Sequence, residues 1–229
     1  MKLGIMQPYL FPYIGYFQLI NAVDTFVIYD DVNYIKQGWI NRNRILMNNA
    51  SHYFTLSLKE ASSFKKICEI EVGTNIEKLK KTLLQVYCKA PYFAATFSLL
   101  HEILDCQDTN LSHFVTNSLQ KISRYIGIET KFVVSSELNI SCDLCGQDRV
   151  IKINEHFHAD TYINAIGGKE LYSREAFAKH NIKLQFLKTD AIEYKQFSRE
   201  FIPNLSIIDV LMFNSLDSVR EFLNRNSLV

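Results

Sequence analysis

Polar and aromatic side chains follow the first two apolar segments of the chain, and their types suit the binding of a polar ligand. Lys2 to Met6 and Thr25 to Tyr29 are apolar, and the residues after them include Gln7, Pro8, Tyr9, Tyr13, Asp30 and Asp31. Amide and phenol groups can hydrogen-bond a substrate, and a carboxylate can act as a general base. The alternative interpretation is a buried strand followed by a plain proline-stiffened turn.

A basic cluster surrounds the one tryptophan of the chain. It consists of Lys36, Trp39, Asn41, Arg42, Asn43 and Arg44. Guanidinium groups bind phosphate or carboxylate through paired N–H donors, and an indole ring can stack on a flat group. The two arginines alternate with asparagine, so on a strand both would face one side. A solvated strand whose arginines only shield apolar surface is the alternative.

A pair of glycines lies between a predicted strand and a predicted helix. The strand covers Thr161 to Asn164, the helix covers Glu170 to Lys179, and Gly167, Gly168 and Lys169 lie between them. Backbone N–H groups at such a place can approach an anion at the helix N-terminus. The spacing is neither a P-loop nor a dinucleotide fingerprint, and a tight turn without a ligand is the alternative.

The cysteines and histidines predict no metal site and no cofactor. Cys142 and Cys145 have the spacing of half a zinc site. Zinc needs two more ligands, and on a helix His156 and His158 would point about 200° apart. A redox pair is also disfavoured, because no thioredoxin-like context precedes the cysteines.

The elements that must position these residues read as alternating strands and helices. Lys2 to Met6, a helix over Tyr13 to Asn21 and the strand Thr25 to Tyr29 form a crossover that makes parallel neighbours. Further strands are predicted at 131–135, 161–164 and 183–187. Ligands of such sheets bind outside the carboxyl ends of the strands, where the polar residues lie.

Other segments surround this sheet. The sequence predicts a β-hairpin from Ile45–Met47 and His52–Leu58, and a strand over Ile67–Val72. Three helices are expected at about 75–88, 91–105 and 110–126. Ser206 can cap a helix that carries Asp209, and a last helix is predicted over 216–224. A carboxylate such as Asp209 in an apolar helix must have a partner or take up a proton.

Bulk properties exclude several classes of protein. The chain has 229 residues, a net charge of +1 and five cysteines. An almost neutral chain has no overall electric field that would attract DNA. An odd number of cysteines, without the spacing of a disulfide framework, fits the reducing cytoplasm. No apolar run is long enough to span a bilayer, so we expect a cytoplasmic protein.

Several motifs together resemble the WbqC-like family of bacteria. They are MQPYLFPYIGYFQLI, DTFVIYDDVNYIKQGWINRNRI, GGKELY and LSIIDVLMFN. The resemblance implies a role in O-antigen or other surface-polysaccharide synthesis, with glycine transfer as the suggested activity. It also implies that Arg149, at the start of a helix, faces the substrate.

The opening is similar, more distantly, to nucleotidyltransferases that carry a His-x-Gly-His motif. That motif would fall on Tyr13, Ile14, Gly15 and Tyr16, where both histidines are absent. Their absence argues against adenylyl transfer by the usual mechanism of that group, even if the fold is shared.

We therefore expect one α/β domain over residues 1–229, with a largely parallel, doubly wound, nucleotidyltransferase-like sheet of about five strands. A β-hairpin and a helical insert at 75–126 complete it. The expected activity moves an aminoacyl group from an activated amino acid donor to the amine of a nucleotide-linked amino sugar. An ATP-using nucleotidyltransferase-like enzyme and a non-catalytic binding protein are the alternatives.

In the expected site Asp31 is the general base. The substrate-binding residues are Gln7, Pro8, Tyr9, Tyr13, Lys36, Trp39, Asn41, Arg42, Arg44, Arg149, Gly167, Gly168 and Lys169.

Overall fold

The first strand lies near the centre of the main sheet in a computed structural model that describes residues 1–140 and 144–229. The strands are β1 (Lys2–Met6), β2 (Thr25–Ile28), β3 (Arg42–Met47), β4 (Ala50–Thr55), β5 (Leu58–Lys59), β6 (Glu71–Val72), β7 (Lys131–Val134), β8 (Thr161–Ala165), β9 (Lys183–Thr189) and β10 (Asn226–Leu228). The helices are α1 (Ile14–Asn21), α2 (Ile76–Tyr87), α3 (Phe93–Leu104), α4 (Leu111–Ile126), α5 (Gly146–His156), α6 (Arg174–Ala178), α7 (Ile207–Phe213) and α8 (Leu216–Leu223). Short 3₁₀ helices cover Ile67–Glu69, Ser135–Glu137 and Ile166–Leu171.

The main sheet confirms the expected α/β class. Within the described residues it has six strands in the order β10-β9-β8-β1-β2-β7. The last five of these are mutually parallel, and β10 pairs antiparallel with β9 at the edge. The chain crosses from β1 outward to β2 and β7, then returns to the other side of β1 for β8 and β9. The order therefore reverses between β1 and β8, which is the topological switch point where such sheets bind ligands.

Alternate residues of the central strands point to opposite faces, and helices cover both faces. Phe26 and Ile28 lie in a large core with α1, α4, α7 and α8, whereas Leu3 and Val27 lie in a smaller core with α5 and α6. Burial on both sides explains why the strands read as continuous apolar runs rather than alternating ones.

The segment predicted as an insert forms α2, α3 and α4. Asn110 begins α4 by accepting a hydrogen bond from the His113 N–H at 3.2 Å, and Gly127, with φ of 87°, ends it. Phe114 and Leu119 of α4 are buried in the same core as Phe26. Helix α4 therefore forms part of the core on one face of the main sheet, with α3 against α4 and α2 against α3.

The hairpin forms a sheet of its own. β3 and β4 pair in register around Asn48 and Asn49, whose φ angles of 52° and 59° suit a two-residue hairpin turn. This pairing confirms the predicted hairpin. β3 lies against the start of α7, because the Ser206 N–H donates to the Arg44 carbonyl at 2.8 Å.

Three local predictions were wrong. Ile67–Val72 is mostly a 3₁₀ turn, since the Glu69 carboxylate accepts the Lys66 N–H at 2.8 Å and bends the chain, leaving only β6 as strand. The glycine pair lies inside a 3₁₀ helix, and α6 begins later because the Ser173 hydroxyl caps it. The edge strand β10 was not expected at all.

Asp209 is fully buried in α7, and its carboxylate is hydrogen-bonded, as the sequence predicted it must be unless it were protonated. Its carboxylate accepts hydrogen bonds from Tyr87 Oη at 2.9 Å, Tyr194 Oη at 2.8 Å and Gln196 Nε2 at 2.9 Å. Burial outweighs these bonds and raises the pKa of Asp209 above its ordinary value of 3.8. Its contribution to stability is therefore largest at acid pH and falls as the pH rises from 3.8 through the raised pKa.

We predict that the stability advantage of wild type over Asp209→Asn is larger at about pH 4 than at about pH 7. Urea unfolding gives the free energy of unfolding of both proteins at each pH. Subtracting the value for the variant from that for wild type removes the effect of the other carboxylates, which titrate in both proteins. An advantage that grows toward neutral pH would contradict the prediction.

In the part of the chain that the structure describes, no helix is both long and apolar enough to cross a membrane.

Candidate functional site

A cleft of about 700 Å³ opens at the switch point, where β1 and β8 end. That volume is in the range of pockets that bind small molecules and cofactors. One wall comes from β3 and the segment before it, the other from the end of β8 and the 3₁₀ helix after it, and the floor from β1 and α1. The lining residues are Ile5, Met6, Gln7, Tyr9, Pro12, Tyr13, Tyr16, Leu19, Tyr29, Ile35, Trp39, Asn43, Arg44, Asn164, Ala165, Gly167, Gly168, Leu171, Tyr172 and Asn204.

The lining combines stacking rings, neutral hydrogen-bonding groups and a single charge. Among these described lining residues, Arg44 alone carries a charge at neutral pH. Burial raises the pKa of the tyrosine hydroxyls, to about 12 for Tyr29, so they remain protonated at neutral pH and can donate hydrogen bonds. Such a surface suits a ligand rich in hydroxyl and carbonyl groups that carries an anionic group.

Arg44 lines the cleft, and one nitrogen of its side chain has no hydrogen-bond partner among the described residues. Its Nη2 donates to the Asn204 carbonyl at 3.1 Å, and its Cζ lies 5.5 Å from the Trp39 ring centroid. Its Nε is buried and has no hydrogen-bond partner among the described residues. A buried donor of this kind is costly unless a ligand satisfies it, so Arg44 is positioned to bind an anion.

The floor places the start of α1 beneath the ligand. The Ile207 N–H donates to the Pro12 carbonyl at 2.8 Å, and Tyr16 Oη donates to the Gln7 carbonyl at 2.7 Å, which fixes the loop between β1 and α1. A Cβ at Gly15 would lie 2.4 Å from the Tyr13 ring and 2.5 Å from Thr189 Oγ1, so only glycine allows this packing. No side chain caps the N-terminus of α1, and the Tyr16 N–H donates to the Tyr13 carbonyl at 3.1 Å.

A buried polar cluster lies at the ends of β2 and β7. Asp30 is fully buried and accepts hydrogen bonds from the hydroxyls of Ser112, Ser135 and Ser136 and from the Ser136 N–H. These bonds join α4 and the 3₁₀ turn after β7 to the sheet.

Asp31 forms a buried ion pair with Arg149 and accepts a hydrogen bond from Ser135 Oγ at 2.5 Å. Neither of these two described residues lines the cleft, but the Arg149 Cζ lies 5.6 Å from the ring centroid of Tyr29, which does. The ion pair therefore supports the cleft wall through the Tyr29 ring.

A model of the WbqC-like protein family matches residues 7–221 of the chain. The chain belongs to the WbqC-like family. A related protein of Mycobacterium tuberculosis, described as the uncharacterized protein Rv1507c, is 32% identical over 218 residues, which cover 93% of each chain. No solved structure matches.

The structure brings seven of the thirteen predicted substrate-binding residues of this WbqC-like protein into one cleft. The predicted residues that line it are Gln7, Tyr9, Tyr13, Trp39, Arg44, Gly167 and Gly168. The hypothesis of a single site at the strand ends rests on this convergence of β1, β3 and β8 residues.

The remaining predicted residues lie outside the lining. Pro8 is buried, and Lys36 and Lys169 are exposed. The Asn41 amide is used internally, by Leu56 O and Tyr34 Oη, both at 2.8 Å. Arg42 donates to the Gly38 carbonyl at 3.2 Å and lies 4.3 Å from the Tyr53 ring. Asp31 and Arg149 lie in the ion pair described above.

The other thirteen lining residues were not among the predicted site residues, and those with hydrogen-bonding side chains include Tyr29, Asn164, Tyr172 and Asn204. Tyr29 and Asn164 end predicted strands, so the rule that ligands bind at strand ends would have found both. Tyr172 is the last residue of the GGKELY motif, so the motif could have indicated it, whereas Asn204 lies in no motif and only the fold brings it to the cleft.

Cys145, the described member of the cysteine pair, does not line the cleft. Cys145 is exposed, and Cys142 lies outside the described residues. Among residues 1–140 and 144–229, no group of three or more histidine, cysteine, aspartate or glutamate side chains is arranged to hold a metal ion.

Proposed function

We propose that this WbqC-like protein is a transferase of surface-polysaccharide synthesis in the cytoplasm. It moves an aminoacyl group, of the glycyl type, from an activated donor to the amine of a nucleotide-linked amino sugar. The nucleotide-linked sugar binds in the cleft between β1 and β8.

The observation that carries the proposal is the composition of the cleft. Phosphate oxygens of a sugar nucleotide suit the Arg44 guanidinium, whose Nε is buried without a described partner. The rings of Trp39 and Tyr9 can stack on the base or on a sugar face, and the amides and protonated tyrosines suit sugar hydroxyls. A site for small inorganic anions would be expected to contain more basic side chains than the one arginine in this lining.

The chemical step forms one bond and breaks one. The sugar amine nitrogen attacks the acyl carbonyl carbon, an amide bond forms, and the bond to the leaving group of the donor breaks. The proton of the ammonium nucleophile must pass to a base. Asp31 is the candidate base. Its carboxylate does not line the cleft and is bound by Arg149 and Ser135, so this role requires that one of these contacts opens and that the ammonium group reaches the carboxylate.

Thermal unfolding with UDP-glucosamine, dTDP-glucosamine, ATP and glycine tests the binding part. A sugar nucleotide present at about a hundred times its Kd should stabilise the protein by about 2.7 kcal/mol. Stabilisation by ATP alone would favour the nucleotidyltransferase-like alternative, which the doubly wound parallel sheet also accommodates.

A transfer assay tests the chemistry. The sugar nucleotide that binds is incubated with glycyl-tRNA, a glycyl thioester, or glycine with ATP, and mass spectrometry detects the glycyl amide. We expect product with one of these donors. If the sugar nucleotide binds but no donor gives product, the protein is a binding protein and not a transferase.

A further inference from the structure

Asn164 occupies the end of β8, on the switch-point wall of the cleft, and one half of its amide is unused. Its side chain is only 4% exposed and lines the cleft. Oδ1 accepts the Ala165 N–H at 2.8 Å, which determines which end of the amide is oxygen, because a flipped amide would set NH₂ against N–H. Nδ2 donates no hydrogen bond to any residue in the described part of the chain.

Asn43, on the opposite wall, provides the contrast. It is also 4% exposed and also lines the cleft. Its Oδ1 accepts the Arg44 N–H at 2.8 Å, and its Nδ2 donates to the Leu10 carbonyl at 3.1 Å. Asn43 is thus fully used in holding the protein together, whereas Asn164 retains a donor for something else.

Gly168 keeps the donor of Asn164 accessible. A Cβ at Gly168 would lie 2.6 Å from Asn164 Nδ2, closer than real contacts allow. A Cβ at the neighbouring Gly167 would meet nothing within 4 Å. The requirement for glycine therefore falls at the position that faces the Asn164 amide.

We propose that Asn164 Nδ2 is a specificity-determining donor that binds a neutral oxygen of the sugar, a ring hydroxyl or an amide carbonyl. Arg44, on the other wall, binds the phosphates. The inference rests on the proposed function and adds to it an orientation of the ligand, with the nucleotide diphosphate toward β3 and the sugar toward β8. A donor that a ligand covers without pairing is costly, so a ligand that supplies the acceptor gains affinity over one that does not.

Calorimetric titration of Asn164→Ser with UDP-glucosamine and with UDP tests the proposal. Serine can still accept from the Ala165 N–H, adds no charge and does not reach the cleft as Nδ2 does. We expect the Kd for UDP-glucosamine to rise at least about tenfold and the Kd for UDP to change by less than about twofold. Asn164→Asp, which keeps the shape and replaces the donor with an acceptor, should also discriminate against the sugar.

Asn43→Ser is the matched control for stability. Because both ends of the Asn43 amide are used, this variant should unfold at a lower urea concentration than wild type, and Asn164→Ser should unfold at the wild-type concentration. A large loss of stability in Asn164→Ser would show that Asn164 is structural and overturn the proposal.

The remaining outcomes are distinct. Equal weakening of UDP and UDP-glucosamine would place Asn164 at the nucleotide and overturn the orientation, and unchanged affinity for both would show that Asn164 contacts neither. If wild type binds no sugar nucleotide, including dTDP-glucosamine, the proposed function fails first and this inference fails with it.

Discussion

Replacing Asp31 with asparagine is expected to lower the free energy of unfolding by about 3–5 kcal/mol. The side chains of Asp31 and Arg149 are 7% and 5% exposed, so the substitution leaves a buried guanidinium without its counter-charge. Urea unfolding followed by circular dichroism measures the loss. Glu71→Gln is the control, because its ion pair with Lys59 is half exposed and screened by solvent, so its loss should change the stability far less than the loss of Asp31.

The double variant Asp31→Asn with Arg149→Met separates stability from catalysis. Removal of both charges should restore much of the lost stability, because an uncompensated buried charge causes most of the loss. If Asp31 is the base, the double variant folds and has a low kcat. If it folds and retains the wild-type kcat, Asp31 acts only as a structural partner. A loss of less than about 1 kcal/mol in the single variant would contradict the buried ion pair itself.

Replacing Arg44 with methionine should weaken binding of a sugar nucleotide by about 2–5 kcal/mol, which is roughly a 30-fold to several-thousandfold rise in Kd. Methionine retains the apolar length of the side chain but removes the only charge among the described lining residues. Calorimetric titration with UDP-glucosamine measures the change.

Arg42 on the same strand offers the comparison. Its guanidinium binds the carbonyls of Gln37 and Gly38 and does not line the cleft. Arg42→Met should therefore change the Kd by no more than about threefold. Equal losses for the two variants would indicate a diffuse basic surface and contradict an anion site at Arg44.

The sheet could be predicted from the sequence because its signals are local. Lys2–Met6 is a buried apolar run that ends at Gln7-Pro8, and the chain returns to a second buried run at Thr25 after a short helix. This crossover fixes parallel pairing, and the switch-point rule then places the Gln7 and Gly167 segments together. The edge strand β10 has no such local signal, because it pairs with β9 only as a result of the position in which α8 ends.

The side-chain partners could not be predicted in the same way. The sequence shows that Asp30 and Asp31 end a strand, but not that serines from α4 and from the turn after β7 surround Asp30, or that Arg149 binds Asp31. These partners lie 82 to 118 residues away. Arg42 and Arg44 have equivalent positions in the strand pattern, and only the path of the 190–206 segment, which brings Asn204 to Arg44, distinguishes them.

A crystal structure of the protein with UDP-glucosamine tests the central claim most directly. We predict that the sugar nucleotide lies in the cleft between β1 and β8, with a phosphate oxygen within hydrogen-bonding distance of the Arg44 guanidinium and a sugar oxygen within that distance of Asn164 Nδ2. A complex in which the cleft is empty and the ligand binds elsewhere would contradict it.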